Sequence, residues 1–375
     1  MTMKKWLVST AAAIMLTPLT VSPAGSVLTA DSAIAGMNDK VLDLKLTTDN
    51  LKAMYAGTFK YKGIGTGAYL SDVKERYGQP KDDYISRDYR AGKTYVRTAY
   101  TKNNNLSLEA HAASAVSNAS IANMQVDRMQ FNLYAKKILK QEVEKTLGQA
   151  TAAKGSIQKD KTVLRQYGPY LVINYMKDPA TKKWLVSQVT LKKNIKTMHS
   201  VKALGGIAIQ DKVLDFRFSP TNIKKMKAGT YQLPGKVGLN TPMGDAKEAL
   251  GDPKYDQIYR QQGRTDYIMI YGRNQELTLS TMAYGYTPNE RLNNLTVGTL
   301  FMNAHNHDVS KTMIEKYTGA AIASEGSIKT DMAIKRTYSP NFYAWYNRKD
   351  GTFKLSSATV HATADKNGHD AVTAK

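Results

Sequence analysis

Hydrophobic and polar positions repeat along this chain at two alternating periods, and the alternation predicts short helices each followed by paired strands. Four stretches carry apolar residues at helical spacing: Asp72 to Gln79, Glu142 to Gln149, Asp245 to Asp252 and Thr312 to Gly319. Each meets a glycine at its end, the residue that most easily takes the left-handed conformation of a helix C-terminus. Pro80 and Pro253 follow and block continuation. Strand-like runs, alternating in part, come next. In the first half they are Thr94 to Tyr100 with Leu106 to Ala110, and Leu171 to Tyr175 with Trp184 to Val189. In the second half they are Tyr267 to Tyr271 with Leu277 to Ser280, and Phe342 to Tyr346 with Phe353 to Val360. Turn-forming residues separate the members of each pair (Lys102 to Asn105, Lys177 to Thr181, Arg273 to Glu276, Asn347 to Gly351), which predicts antiparallel hairpins. Helices layered on one face of antiparallel sheet make the predicted class α+β.

The pattern is also written twice. Asp39-Lys40-Val41-Leu42-Asp43, followed by Asn50, Lys52, Met54 and Ala56-Gly57-Thr58, returns as Asp211-Lys212-Val213-Leu214-Asp215, followed by Asn222, Lys224, Met226 and Ala228-Gly229-Thr230. Further on, Arg165, Tyr167, Pro169 and Tyr175 match Arg336, Tyr338, Pro340 and Tyr346. A period of roughly 170 residues far exceeds that of a solenoid and has the length of a domain. The expectation is tandem duplicated domains, 36–200 and 201–375, each of two helix-plus-sheet modules. The seam falls near Lys193 to Gly206, and a polar tail ends the chain.

Residues 1–35 read as a secretory signal peptide. Lys4 and Lys5 precede an apolar run from Trp6 to Leu19, and small residues suit cleavage after Ala24 or after Ala35. No later stretch reaches the roughly 20 apolar residues of a membrane span, so no transmembrane segment is expected in the mature chain. The chain has no cysteine. Export without disulfides suits a secreted or cell-wall-associated protein of a Gram-positive bacterium. The chain carries 53 Lys and Arg against 31 Asp and Glu, a net charge of +22. Such an excess attracts polyanions over long range, or serves solubility and retention in an anionic wall.

The helix ends Tyr-Gly-Gln-Pro at 77–80, Leu-Gly-Gln-Ala at 147–150 and Leu-Gly-Asp-Pro at 250–253, each followed by hairpin strands, carry a resemblance. They are similar to the helix-plus-sheet modules of the β-lactamase-inhibitor-protein-like group of secreted Gram-positive proteins. They also resemble the immunodominant staphylococcal antigen B family. Glu142 to Leu191 and Lys311 to Thr363 carry the likeness most closely. It implies a secreted binding module, with affinity for nucleic acid in the one family and a concave sheet that clasps a protein in the other. It supplies no catalytic residue.

The candidate chemistry points the same way. The sequence has no Walker loop, no G-x-G-x-x-G unit, no H-E-x-x-H and no G-x-S-x-G. Thiolate chemistry is impossible. His305 and His307 are close enough for two metal ligands on a strand. The first repeat has nothing comparable, so a polar loop with Asp308 or Ser310 capping the next helix is expected instead. No cofactor, no metal and no catalysis are expected. There are 23 Tyr against 7 Phe. Tyr84, Tyr89, Tyr259, Tyr343 and Trp345 form a candidate aromatic platform, with Arg87, Arg90, Arg260 and Arg264 interleaved. Tyrosines stack bases or sugars while arginines meet phosphate, or else they pack half-buried on strands with a wet hydroxyl. Lys136, Lys137, Lys140, Lys182, Lys183, Lys192, Lys193, Lys224 and Lys225 complete the candidate polyanion footprint. The expected function is non-enzymatic binding of an anionic polymer, extracellular DNA or teichoic acid, at the cell surface. The alternative is a specific protein binder or enzyme inhibitor using an open sheet face.

Overall fold

The computed structural model describes residues 37–193, 214, 216–304 and 307–363. The expected signal peptide, most of the predicted seam and the C-terminal tail lie outside the described residues.

The first half contributes β1 (Asp82–Asp88), β2 (Lys93–Tyr100), β3 (Leu106–Ala112), β4 (Arg128–Asn132), β5 (Ala152–Lys154), β6 (Thr162–Tyr167), β7 (Leu171–Lys177) and β8 (Trp184–Lys192). The second contributes β9 (Tyr255–Gln261), β10 (Arg264–Tyr271), β11 (Leu277–Tyr284), β12 (Thr299–Asn303), β13 (Ala323–Glu325), β14 (Ala333–Ser339), β15 (Phe342–Lys349) and β16 (Thr352–His361). Every neighbouring pair is antiparallel, and the strands join in one 16-stranded sheet. Its order is β13-β14-β15-β16-β12-β11-β10-β9-β1-β2-β3-β4-β8-β7-β6-β5. Read outward from the β1–β9 junction, both directions give the same succession of strands. Helices with an antiparallel sheet confirm the α+β class.

Among the described residues, six α-helices accompany the sheet: α1 (Thr48–Ala56), α2 (Leu70–Tyr77), α3 (Lys140–Leu147), α4 (Pro220–Ala228), α5 (Met243–Leu250) and α6 (Lys311–Thr318). Four of them are the helices that the glycine-stopped pattern predicts. Each begins one to two residues earlier than the pattern suggests, within the usual fraying of helix ends. The other two, α1 and α4, lie in the repeated segment and are set by their caps. Thr47 Oγ1 accepts from Asn50 N–H at 3.2 Å, and Ser219 Oγ does the same for Asn222. Both helices close on a left-handed glycine, Gly57 or Gly229. Helix α1 packs against α3, and α4 against α6.

Strand register shows where the core sits. Across the first half, Tyr167, Leu171, Leu191, Met129 and Leu108 stand opposite one another in a row, all buried. Across the second, Phe342, Val360, Leu300, Leu279 and Met269 do the same. The first row runs through Thr98 to Asp83, which faces Arg260 across the junction. The second row runs to Asp256, which faces Arg87. Each apolar row therefore ends in an ion pair that ties the halves together. Arg87 Nη1 lies 2.9 Å from both oxygens of Asp256, with the two residues 1% and 0% exposed. Arg260 Nη1 lies 2.7 Å from Asp83 Oδ2, at 2% and 7% exposure. Each remaining guanidinium nitrogen also donates a hydrogen bond. Arg87 donates to Val116 O and Asn118 Oδ1, and Arg260 to Thr287 O and Asn289 Oδ1. Buried charge persists in a protein only when it is paired and hydrogen-bonded in this way.

Candidate ligand surface on the open face of the sheet

The residues that alternate with the buried rows form the opposite face of the sheet. Near the β1–β9 junction that face is aromatic. Tyr84 stands opposite Tyr259, and their rings lie 4.8 Å apart with planes tilted by 35°. Tyr95 on β2 meets Tyr84 edge-on at 5.9 Å, and His111 on β3 lies 4.9 Å from Tyr95. Four rings thus cross four adjacent strands, at separations typical of favourable aromatic pairs. Burial, reinforced by Glu109, pushes the Tyr95 hydroxyl up to about 12. Burial and the neighbouring Tyr84 raise that of Tyr259. Both remain neutral at physiological pH and can donate as well as accept.

Polar groups flank the rings. Arg97 stands directly opposite Tyr84 and is exposed. A shallow cleft of about 320 Å³ opens here, lined by Asp82, Tyr84, Arg97, Asn104, Tyr259 and Gln261. Beyond Arg97 the row continues to Glu109, Arg128 and Lys192. Glu109 is largely consumed, since it accepts from Arg128 at 2.9 Å and Gln130 at 3.1 Å. Lys192 is exposed at the end of the row. His111 Nδ1 lies 2.8 Å from Asp127, whose carboxyl is raised mainly by burial and drawn back down by the imidazole. The open face of the second half is more apolar, with Ile268, Ile270, Met282, Phe301, Tyr343 and Trp345. Trp345 is 38% exposed. Lys335 sits over the Tyr343 ring at 4.7 Å while pairing with Glu325 at 2.8 Å.

The structure sorts the residues singled out from sequence. Tyr84 and Tyr259 come together, whereas Tyr343 and Trp345 share a separate patch on β15. Tyr89 does not belong to the platform. Its hydroxyl donates to Asp256 at 2.9 Å and receives a hydrogen bond from Lys247, whose ammonium also lies 4.5 Å above the ring. Arg87 and Arg260 are not surface cations either. Strand alternation turns both toward the helix-covered face, where their carboxylate partners wait. Arg264 pairs with Asp266 at 2.8 Å, Lys137 with Asp178 at 3.7 Å and Lys140 with Glu144 at 2.5 Å. Lys136, Lys182, Lys183, Lys192, Lys193, Lys224, Lys225 and Arg90 are exposed. Arg97, Tyr95 and His111 are the residues that sequence reasoning passed over. The partial alternation of Thr94 to Tyr100 would have placed Tyr95 and Arg97 on one face. The tertiary neighbour Tyr84 comes from a strand that the pattern did not mark.

Ser310 caps α6, accepting from Met313 N–H at 3.1 Å. His305 lies outside the described residues, and the His307 ring packs 5.4 Å from Phe218. Among the described residues, no three His, Asp or Glu side chains gather as a metal site, and no helix is long and apolar enough to cross a membrane.

No known protein family's sequence model matches this chain, and no curated protein is similar to it. A solved structure of the CurJ dehydratase, in an inactive mutant form, aligns at 8% identity over 74% of this chain and 92% of its own. Its TM-score of 0.09 is too low to carry any argument about fold or activity.

Proposed function

We propose that this is a secreted, non-enzymatic binding protein that takes an anionic polymer, nucleic acid or teichoic acid, across the open face of its sheet at a Gram-positive cell surface. The observation that carries this reading is the close, tilted Tyr84–Tyr259 pair beside exposed Arg97, on a chain whose acids fall 22 charges short of its bases. The rings offer flat π surface to bases or sugars, worth about 1–3 kcal/mol per stacked base. Arg97 and Lys192 supply phosphate contacts along one direction from the rings. The logarithm of the affinity should therefore fall linearly with the logarithm of salt concentration, with a slope of about −0.7 to −0.9 per phosphate contacted. The test is a gel shift and a heparin column at low and moderate salt. Tyr84→Ala should weaken binding at every salt, and Arg97→Ala should also reduce the salt slope. Elution from heparin at low salt, with no retardation of DNA or wall polymer, overturns the reading.

The apolar open face of the second half favours a second reading, a protein partner seated on Ile268, Phe301, Tyr343 and Trp345. It predicts salt-tolerant, stoichiometric binding that Trp345→Ala removes and Arg97→Ala does not.

The architecture belongs to the same proposal. We infer that 36–200 and 201–375 descend from one duplicated domain of two helix-plus-sheet modules, following a signal peptide over 1–35. The repeated motifs and the matching strand succession on either side of the β1–β9 junction support this. Two linked lobes raise avidity for a long polymer wherever both reach it at once.

A further inference from the structure

The two carboxylates of the β1–β9 junction, Asp256 and Asp83, sit in unequal surroundings although their ion pairs match. Asp256 is satisfied on both oxygens: Arg87 bonds both, while the hydroxyls of Tyr89 and Tyr267 donate to Oδ2 at 2.9 and 3.3 Å. Asp83 accepts on Oδ2 alone, from Arg260 at 2.7 Å and Tyr286 at 3.5 Å. Its Oδ1 has no hydrogen-bond partner, nor has the hydroxyl of Thr98 directly opposite it, and both residues are 7% exposed. Both line a cavity of about 130 Å³ under helix α2, walled by Leu70, Val96, Tyr100 and Ile121, with Lys74 and Glu290 among its charged lining residues. Strand register shows why the space exists. Val96 faces Ile85 where Tyr267 faces Ile258, and Thr98 faces Asp83 where Met269 faces Asp256. In the second half a tyrosine and a methionine stand at these two positions. In the first, smaller side chains leave room.

We propose that this cavity is a binding site for a small neutral molecule about the size of phenol, an apolar ring or short chain carrying one hydroxyl. The hydroxyl donates to Asp83 Oδ1 and accepts from Thr98, while the body packs on Val96, Ile121 and Tyr100. Size selects the ligand class, because a cavity of about 150 Å³ holds benzene. Chemistry selects the hydroxyl, because a buried acceptor without a donor is costly and a ligand that supplies one removes that cost. Charge selects neutrality, because Asp83 is already matched by Arg260, and Lys74 and Glu290 in the lining offset each other.

The experiment measures phenol and toluene binding to the full chain by calorimetry and by thermal shift. Phenol should saturate and raise the melting temperature, and toluene, which has no donor, should bind at least tenfold more weakly. Thr98→Val should weaken phenol about tenfold and leave toluene unchanged. Val96→Tyr, which installs the tyrosine of the second half, should abolish phenol binding and leave the melting temperature the same or higher. Ile121→Phe fills the cavity from the opposite wall and should also abolish binding. Toluene binding as tightly as phenol overturns the proposal. So does unchanged phenol affinity in both filling variants, or an absence of saturable phenol binding, which would mean a cavity that holds solvent only. Salt-dependent polymer binding is read separately and moves with none of these outcomes.

Discussion

Replacing Arg260 by methionine tests how the β1–β9 junction is held. The side chain is 2% exposed and makes three hydrogen bonds, to Asp83 Oδ2, Thr287 O and Asn289 Oδ1, at 2.7, 2.8 and 2.6 Å. Methionine fills much of the volume but leaves Asp83 buried with only the Tyr286 hydroxyl at 3.5 Å. Stranding one member of a buried ion pair costs about 3–5 kcal/mol. Removing both members with Asp83→Leu in the same chain should recover most of that, because apolar replacement of a whole buried pair is close to neutral. The loss should depend on pH with a definite sign. Burial already raises the Asp83 carboxyl against the pull of Arg260, and losing the arginine raises it further. A carboxyl raised in the folded state binds its proton more tightly there than in the unfolded chain. The penalty is then full at neutral pH and fades as pH falls toward the unfolded value near 3.9. Arg87→Met should cost less, because Asp256 keeps the hydroxyls of Tyr89 and Tyr267. Urea unfolding at pH 7 and at about pH 4.5 reads all of this as midpoint shifts at constant slope. An Arg260→Met protein within 1 kcal/mol of the parent at pH 7, or a double variant as unstable as the single, would refute the reasoning.

Three further outcomes follow from local geometry. Gly57 closes α1 at φ 73°, and a Cβ there would lie 2.7 Å from Tyr170 Cδ2, so Gly57→Ala should lower stability by about 1–3 kcal/mol in denaturant titration. Ser310→Ala removes the N-cap of α6 and should cost about 1 kcal/mol in the same assay, with Ser310→Asp restoring most of it. The hydroxyl of Tyr61 donates to Asp43, and Lys62 lies 3.3 Å away. The Tyr61 hydrogen bond, aided by Lys62, holds the Asp43 carboxyl below its ordinary value. Its contribution is therefore present above the unfolded carboxylate range and lost as pH falls through the folded one. Asp43→Asn should flatten the acid limb of a melting-temperature profile below about pH 5, and an unchanged limb argues against the contact.

Short-range signals in the chain account for the local grammar of this protein. Glycine after an amphipathic turn is enough to stop a helix, so α2, α3, α5 and α6 stand where the pattern sets them. Turn chemistry between alternating runs is enough to make hairpins, so β2–β3, β7–β8, β10–β11 and β15–β16 pair as expected. The short strands β4, β5, β12 and β13 left no readable alternation, because three to five residues carry too few positions to show a period. The remaining features depend on long-range pairing. Nothing local in Tyr84-Ile85-Ser86-Arg87 tells which residues turn inward, since either face of a strand is available until a neighbour defines the core. Pairing of β1 with β9 supplies that neighbour. It sends Arg87 and Arg260 to buried carboxylates distant in sequence, and brings Tyr84 and Tyr259 together on the opposite face. A charge count cannot separate an arginine that reaches solvent from one spent on an internal partner, because that distinction rests on register.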